Sequence, residues 1–298
     1  MWSISKRYRG TAGRESWNSS SPPGVYPNVR NLLPAAVMLA TLLAHAQPIA
    51  NLGTPSGPKF EVATIKPAPA PSARMGIRLD AARVDIGYWS LKQLILRAYS
   101  LQPPQVSGPD FIDSLRFDVL AKLPDGAGPD QLPNMLQWLL AERFGLAAHG
   151  ENRNLAVFAL VPAKGGPGMK RAPSDPFDAQ PARNIGPILD SLWSNGPDRP
   201  FGLTAFNANG SEIHLEFAKL PMAALAQILA SYLRTPVLDS TGLDGPWRVS
   251  LDFTLGNSPE ADASVFSAVQ HLGLRLERRT AATAVLVVDR LDRVPTAN

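Results

Sequence analysis

The residues of this chain best suited to chemistry are Arg143, His149, Glu151 and Arg153. His149, Glu151 and Arg153 recur at every second position, so on a strand they share one face, and a histidine beside a glutamate there could act as a general base. An ion-paired strand face is the competing reading. It is favoured by a second, similar stretch near the C-terminus, where the places of His149 and Glu151 are taken by Glu277 and Arg279. Charge pairing is kept there while the chemistry is not. His214 lies between Glu212 and Glu216 in the same alternation and reads as a solvated strand face.

Other chemistries find less support. No cysteine occurs among the 298 residues, which excludes disulfides, thiolate metal sites and cysteine nucleophiles. No His-x-x-x-His or His-x-x-Glu-His spacing is present, so neither a metal nor a cofactor is expected. No Gly-x-Ser-x-Gly elbow occurs. The pairs Asp110/Asp113 and Asp239/Asp244 flank Gly/Pro turns, which reads as Asx-type turn capping rather than paired carboxylates for glycoside hydrolysis. Gly165-Gly166-Pro167-Gly168 follows a strand but lacks the Lys-Ser/Thr of a phosphate loop, and reads as linker. Trp89, Phe111 and Trp247 sit at turns beside helices. They could anchor a ligand, or simply cover the edge of a small core. The binding candidates are therefore Trp89, Phe111, Arg143, His149, Glu151 and Trp247, with no catalytic residue assigned.

The elements that must position these residues fall into two similar runs. The first is strand 82–87, N-cap Ser90, helix "LKQLILRAY" with Leu91, Leu94, Ile95 and Ala98 on one face, strand "RFDVLAKL", helix "PNMLQWLLAERF" and an expected hairpin "LAAHGENRNLAVFALV". The second is strand "EIHLEF", Pro221, helix "MAALAQILASYL", strand "WRVSLDFT", helix "SVFSAVQHL" and an expected hairpin "LRLERRTAATAVLVV". Val106 precedes Val237 by 131 residues, and Gly145 precedes Gly273 by 128, as Val157 precedes Val285. This offset predicts an α+β fold of two pseudo-repeated βαββαβ modules with mixed sheets, each covered by helices on one face. The boundaries are 47–164 and 211–298, joined by a linker over 165–210, where seven Pro and seven Gly occur.

Residues 1–46 read as a leader. Arg30, an apolar core from Leu32 to Leu43 and the small-x-small site Ala44-His45-Ala46 predict a signal peptide cleaved after Ala46. The apolar core is short of the roughly 20 residues of a spanning anchor. A start near residue 29 would account for residues 1–28. The formal charge of +4 lies in this leader, since its removal leaves 24 basic and 24 acidic side chains. A neutral mature chain has no net attraction for phosphate, so nucleic acid is not an expected partner.

On "FEVATIKP", "SLKQLILRAYSLQPPQVSGPDFIDSLRFDVLAK", "MLQWLLAERFGLAAHGENRNLAVFALVPAKGGP" and "LAQILASYLRTPVLDSTGLDG" the chain resembles a soil-bacterial family of uncharacterised exported proteins, domain of unknown function 3738. The family usually has Arg where this chain has Gly150 and Trp where it has Phe111. Each half, with its Gly145-Leu146 or Gly273-Leu274, is also loosely similar to the short N-terminal domain of secretins and TonB-dependent receptors, which implies protein interaction. The expected function is a non-catalytic, periplasmic or secreted binding module whose partner is another envelope protein or an extracellular ligand. The alternative is a cell-envelope hydrolase with its site between the halves.

Overall fold

The computed structural model describes residues 55–71, 75–80, 82–173, 200–209, 212–254, 256 and 258–296, which belong to one compact unit, Ala44–Asn298. The expected leader and residues 174–199 of the expected linker lie outside them. Three four-stranded sheets are built from twelve strands among the described residues. The class is α+β.

The first sheet has the order β1-β5-β3-β2, with β1 Val62–Pro67, β2 Gly76–Leu79, β3 Arg83–Ser90 and β5 Arg116–Lys122, all antiparallel. Helices α1 Leu91–Tyr99 and α3 Leu132–Phe144 cover it, and a short α2 spans Phe111–Ser114. Ser90 starts α1 as the sequence predicts. Its hydroxyl accepts from the Gln93 N–H at 3.1 Å while Gln93 Oε1 accepts from the Ser90 N–H at 2.9 Å, a reciprocal cap that satisfies two of the helix's orphan donors. Leu91, Leu94, Ile95 and Ala98 are the face it buries.

The second antiparallel sheet has the order β7-β11-β9-β8, with β7 Lys170–Arg171, β8 Leu203–Asn209, β9 Glu212–Pro221 and β11 Pro246–Thr254. It is covered by α4 Met222–Leu233 and α5 Pro259–His271. Two of its strands, β7 and β8, lie inside the 165–210 segment expected as linker: local Gly/Pro content hid short edge strands whose pairing partners are distant in sequence.

Between these lies the only mixed sheet among the described residues, β10-β6-β12-β4. Its centre is β6 Ala147–Pro162 paired antiparallel with β12 Leu274–Arg290, two continuous strands each about 50 Å long at 3.4 Å per residue. Both were expected to be hairpins. Gly150, Asn152 and Asn154 are turn-forming residues, but the partner strand supplies a ladder through all of them, and tertiary pairing overrides the local preference. Short parallel strands flank the pair: β10 Val237–Asp239 beside Phe158–Leu160, and β4 Val106–Ser107 beside Leu286–Val287.

The two cores exchange strand ends. The first, with Ile86, Leu94, Phe117, Leu140 and Phe144, is completed by Leu286, Val288 and Leu291 from the far end of the chain. The second, with Leu215, Leu225, Leu251 and Val269, is completed by Phe158 and Leu160 of β6. Neither expected module therefore owns all of its core. Several registers correspond between the halves. Val106 faces Leu286 as Val237 faces Phe158, and Asn154 faces Ala282, its counterpart 128 residues on. In β3 the bulged pair Gly87-Tyr88 and in β9 the pair Ala218-Lys219 occupy like positions.

Each half's second helix ends where a residue takes positive φ, Gly145 at 58° and Gly273 at 73°. The chain enters the ribbon from these turns. Glycine adopts that region without the Cβ–carbonyl crowding other residues suffer.

Candidate functional site

The ribbon β6–β12 positions the charged residues. Facing residues of a ladder share a face, so His149, Glu151 and Arg153 lie with Val287, Val285 and Thr283, and Arg275, Glu277 and Arg279 lie with Val161, Ala159 and Val157. Every one of those cross-strand neighbours except Val287 is buried. Each charged row thus lies beside a buried patch on the opposite strand. The rows sit at opposite ends of the ribbon face, with Glu151 eight residues, or about 27 Å, from the level of Glu277.

In the β6 row, His149 Nδ1 lies 2.8 Å from Asp289 Oδ1 and His149 Nε2 lies 3.1 Å from Glu151 Oε1. Arg153 Nε donates to Glu151 Oε2 at 2.8 Å. The four side chains are between 40% and 48% exposed, so water competes for each bond. The Asp289 and Glu151 carboxylates raise the His149 pKa above its usual value, Asp289 being the larger cause. The His149 and Arg153 hydrogen bonds hold Glu151 below the usual carboxylate range. A general base needs a free lone pair. Here both ring nitrogens face carboxylate oxygens, an arrangement that favours the imidazolium and leaves no lone pair directed outward. In the β12 row, Arg275 and Arg279 flank Glu277 at 2.7 Å and 2.5 Å, and the Arg279 hydrogen bond lowers the Glu277 pKa.

The other candidates are not brought together with His149 and Glu151. Arg143, in the last turn of α3, donates from Nε to the Thr296 carbonyl at 2.8 Å and from a terminal nitrogen to the Ala63 carbonyl at 3.2 Å. It ties the C-terminal segment and β1 to the helix. Trp89 and Phe111 are partly buried against the first core, with the Arg293 guanidinium 4.8 Å from the Phe111 ring, and Trp247 is partly buried against the second core. The turn reading holds for Asp239, whose Oδ1 accepts from the Thr241 N–H at 3.0 Å and from its hydroxyl at 2.7 Å. His214 lies across from Asp252, with Nδ1 2.5 Å from Oδ1. Among the described residues no three His, Asp or Glu side chains converge as a metal site, and no helix is long and apolar enough to cross a membrane.

Sequence reasoning did not find Asp289, which is 140 residues from His149. No local signal links them, and only the ladder register brings them together.

With three sheets, a shared ribbon and two helix-covered cores, the structure defines an α+β protein whose halves close each other. The family model for the protein of unknown function DUF3738 matches residues 92–291, from α1 to just beyond β12 and so across both halves. The chain belongs to that family. No curated protein and no solved structure matches it.

Proposed function

We propose that this is an exported, non-catalytic binding or interaction module of the cell envelope, periplasmic or secreted after cleavage at Ala46, and that the bare middle of the β6–β12 ribbon is the surface it presents. One observation carries this reading. The ribbon's two ends are anchored in separate cores, while Asn152, Asn154, Ala156, Thr280 and Ala282 between them are exposed on a face whose ends are buried. Large rigid anchors holding a central backbone stretch in solvent suit recognition better than turnover. The engaged His149 points the same way. The partner is another envelope protein or an extracellular ligand. We read the corresponding registers of the two halves as copies of one module.

A photo-crosslinking residue at Asn154 in intact cells should give a discrete adduct, and the same residue at exposed Thr64 on the first sheet should not. Equal labelling at both sites, or none at either, would remove the support for a ribbon surface. A His149→Ala variant should remain folded, with only a small fall in its unfolding midpoint, confined to the pH range where His149 is protonated. If it lost a hydrolytic activity on envelope substrates while remaining folded, the hydrolase alternative would replace this reading.

A further inference from the structure

Among the described residues, the ribbon has backbone groups that no neighbouring strand pairs with. In an antiparallel ladder, alternate residues turn N–H and C=O toward the partner and the residues between turn theirs to the opposite edge. On β12 that outer edge is marked by Ala284, whose carbonyl accepts from Gln105 Nε2 at 3.1 Å, next to the point where β4 pairs with Leu286. The register with β6 is unbroken from Leu274 to Val288. Counting back by two, Leu276, Arg278, Thr280 and Ala282 turn their N–H and C=O groups to the same edge, and among the described residues no strand lies beside them.

Charge says what this edge would accept. Arg275 and Arg279 stand on one face around Glu277, and Arg278 is exposed on the other with its guanidinium 5.7 Å from the Phe158 ring. Three arginines and one glutamate within five residues make the strip cationic. The corresponding edge of β6 differs, because its His149 and Arg153 are balanced by Glu151 and Asp289.

We propose that the outer edge of β12, residues 276–282, is an acceptor site for an extended acidic segment of a partner protein, added to the ribbon as a further strand. This rests on the binding reading and names the partner's chemistry. Main-chain hydrogen bonds to this edge hold the segment, and its acidic side chains, four residues apart, lie about 5 Å from Arg275 and Arg279, with a neutral or basic residue between them beside Glu277. The cationic edge also resists self-pairing, since a second β12 would bring arginines together.

The test uses the purified protein and a fluorescent nine-residue peptide of sequence TTETTTETT, whose two Glu are four residues apart with Thr between them, read by anisotropy. Saturable binding is expected, with at least about a tenfold loss for the double variant Arg275→Glu/Arg279→Glu and no binding of the Lys/Thr analogue. Thr280→Pro deletes an outward N–H while leaving the β6 ladder intact, so it should abolish binding without lowering Tm. Should that variant misfold, the peptide side answers the same question: N-methylation in one alternate register should abolish binding, and in the other should leave it. Equal binding of both N-methylated peptides, indifference to the arginine reversals, absence of saturable binding, or self-association through this edge without peptide uptake would each overturn the proposal. Adducts from Asn154 in cells without peptide binding would overturn the edge assignment alone and leave the binding reading standing.

Discussion

Gly273→Ala is expected to be much more damaging than Gly145→Ala, although both glycines end a helix with positive φ. At Gly273 a Cβ would stand 2.2 Å from the Gly166 carbonyl oxygen, 2.5 Å from the Gly168 nitrogen and 3.0 Å from the Pro167 carbonyl carbon. All three are backbone atoms, so the 165–168 turn itself must move, by about 1 Å to reach ordinary contact. Two hydrogen bonds hold that turn in place: the Gly168 N–H donates to the Leu272 carbonyl and the Ala163 N–H to the Gly273 carbonyl, both at 2.9 Å. Losing them costs about 1 kcal/mol each. The left-handed backbone adds about 1–2 kcal/mol for a residue with a Cβ. The total is about 3–4 kcal/mol. At Gly145 the φ cost is similar, but the Cβ would meet only Asp292 Oδ2 at 2.9 Å and an Arg290 terminal nitrogen at 3.0 Å, ends of side chains that can rotate away. About 1–2 kcal/mol is expected there. Gly168→Ala serves as control, because its nearest atoms would be 3.6 Å away and its φ is not positive. Guanidinium unfolding of the three variants, with m checked for constancy, measures the differences. Gly273→Ala within about 0.5 kcal/mol of Gly145→Ala would refute the claim that backbone contact, rather than φ, dominates at Gly273.

Three further outcomes follow from the fold and its charges. Titration of His149 by NMR should give a midpoint above 6.5, lowered more by Asp289→Asn than by Glu151→Gln. Its raised folded pKa means that its contribution to stability is complete below the unfolded value and fades as pH rises through the folded one, whereas the contribution of depressed Glu151 fades as pH falls through its folded pKa. Residues 47–164 alone lack Leu286, Val288 and Leu291, so they should not form a folded monomer; if the halves are equivalent, light scattering should find a dimer in which each copy's β6 replaces β12. An unfolded monomer at all concentrations would count against equivalence. If the chain is exported as proposed, N-terminal sequencing of the protein from the periplasm or medium should begin at Gln47, and recovery of Leu32–Leu43 in membrane material would contradict the signal reading.

What the sequence determined by itself is whatever depends on near neighbours. The apolar face of α1, its Ser90 cap, Pro221 before α4, the positive φ of Gly145 and Gly273, the turn role of Asp239 and the shared face of His149, Glu151 and Arg153 all follow from 3.6- and 2-residue periods or from the conformational freedom of one residue. Only the tertiary structure decided how the strands pair. "HGENRN" carries the composition of a turn, yet it runs straight because "TAATAVLVV", more than a hundred residues later, lies beside it and satisfies its backbone. The same pairing brings Asp289 to His149, sends Leu286 and Val288 into the first core and, among the described residues, leaves the outer edge of β12 at 276–282 with no strand beside it. Arg143 likewise became a clasp for the C-terminal segment because of where residue 296 ends up. A strand's hydrogen bonds go outward to whatever chain lies alongside, so unlike a helix's they are not written in the segment that makes them.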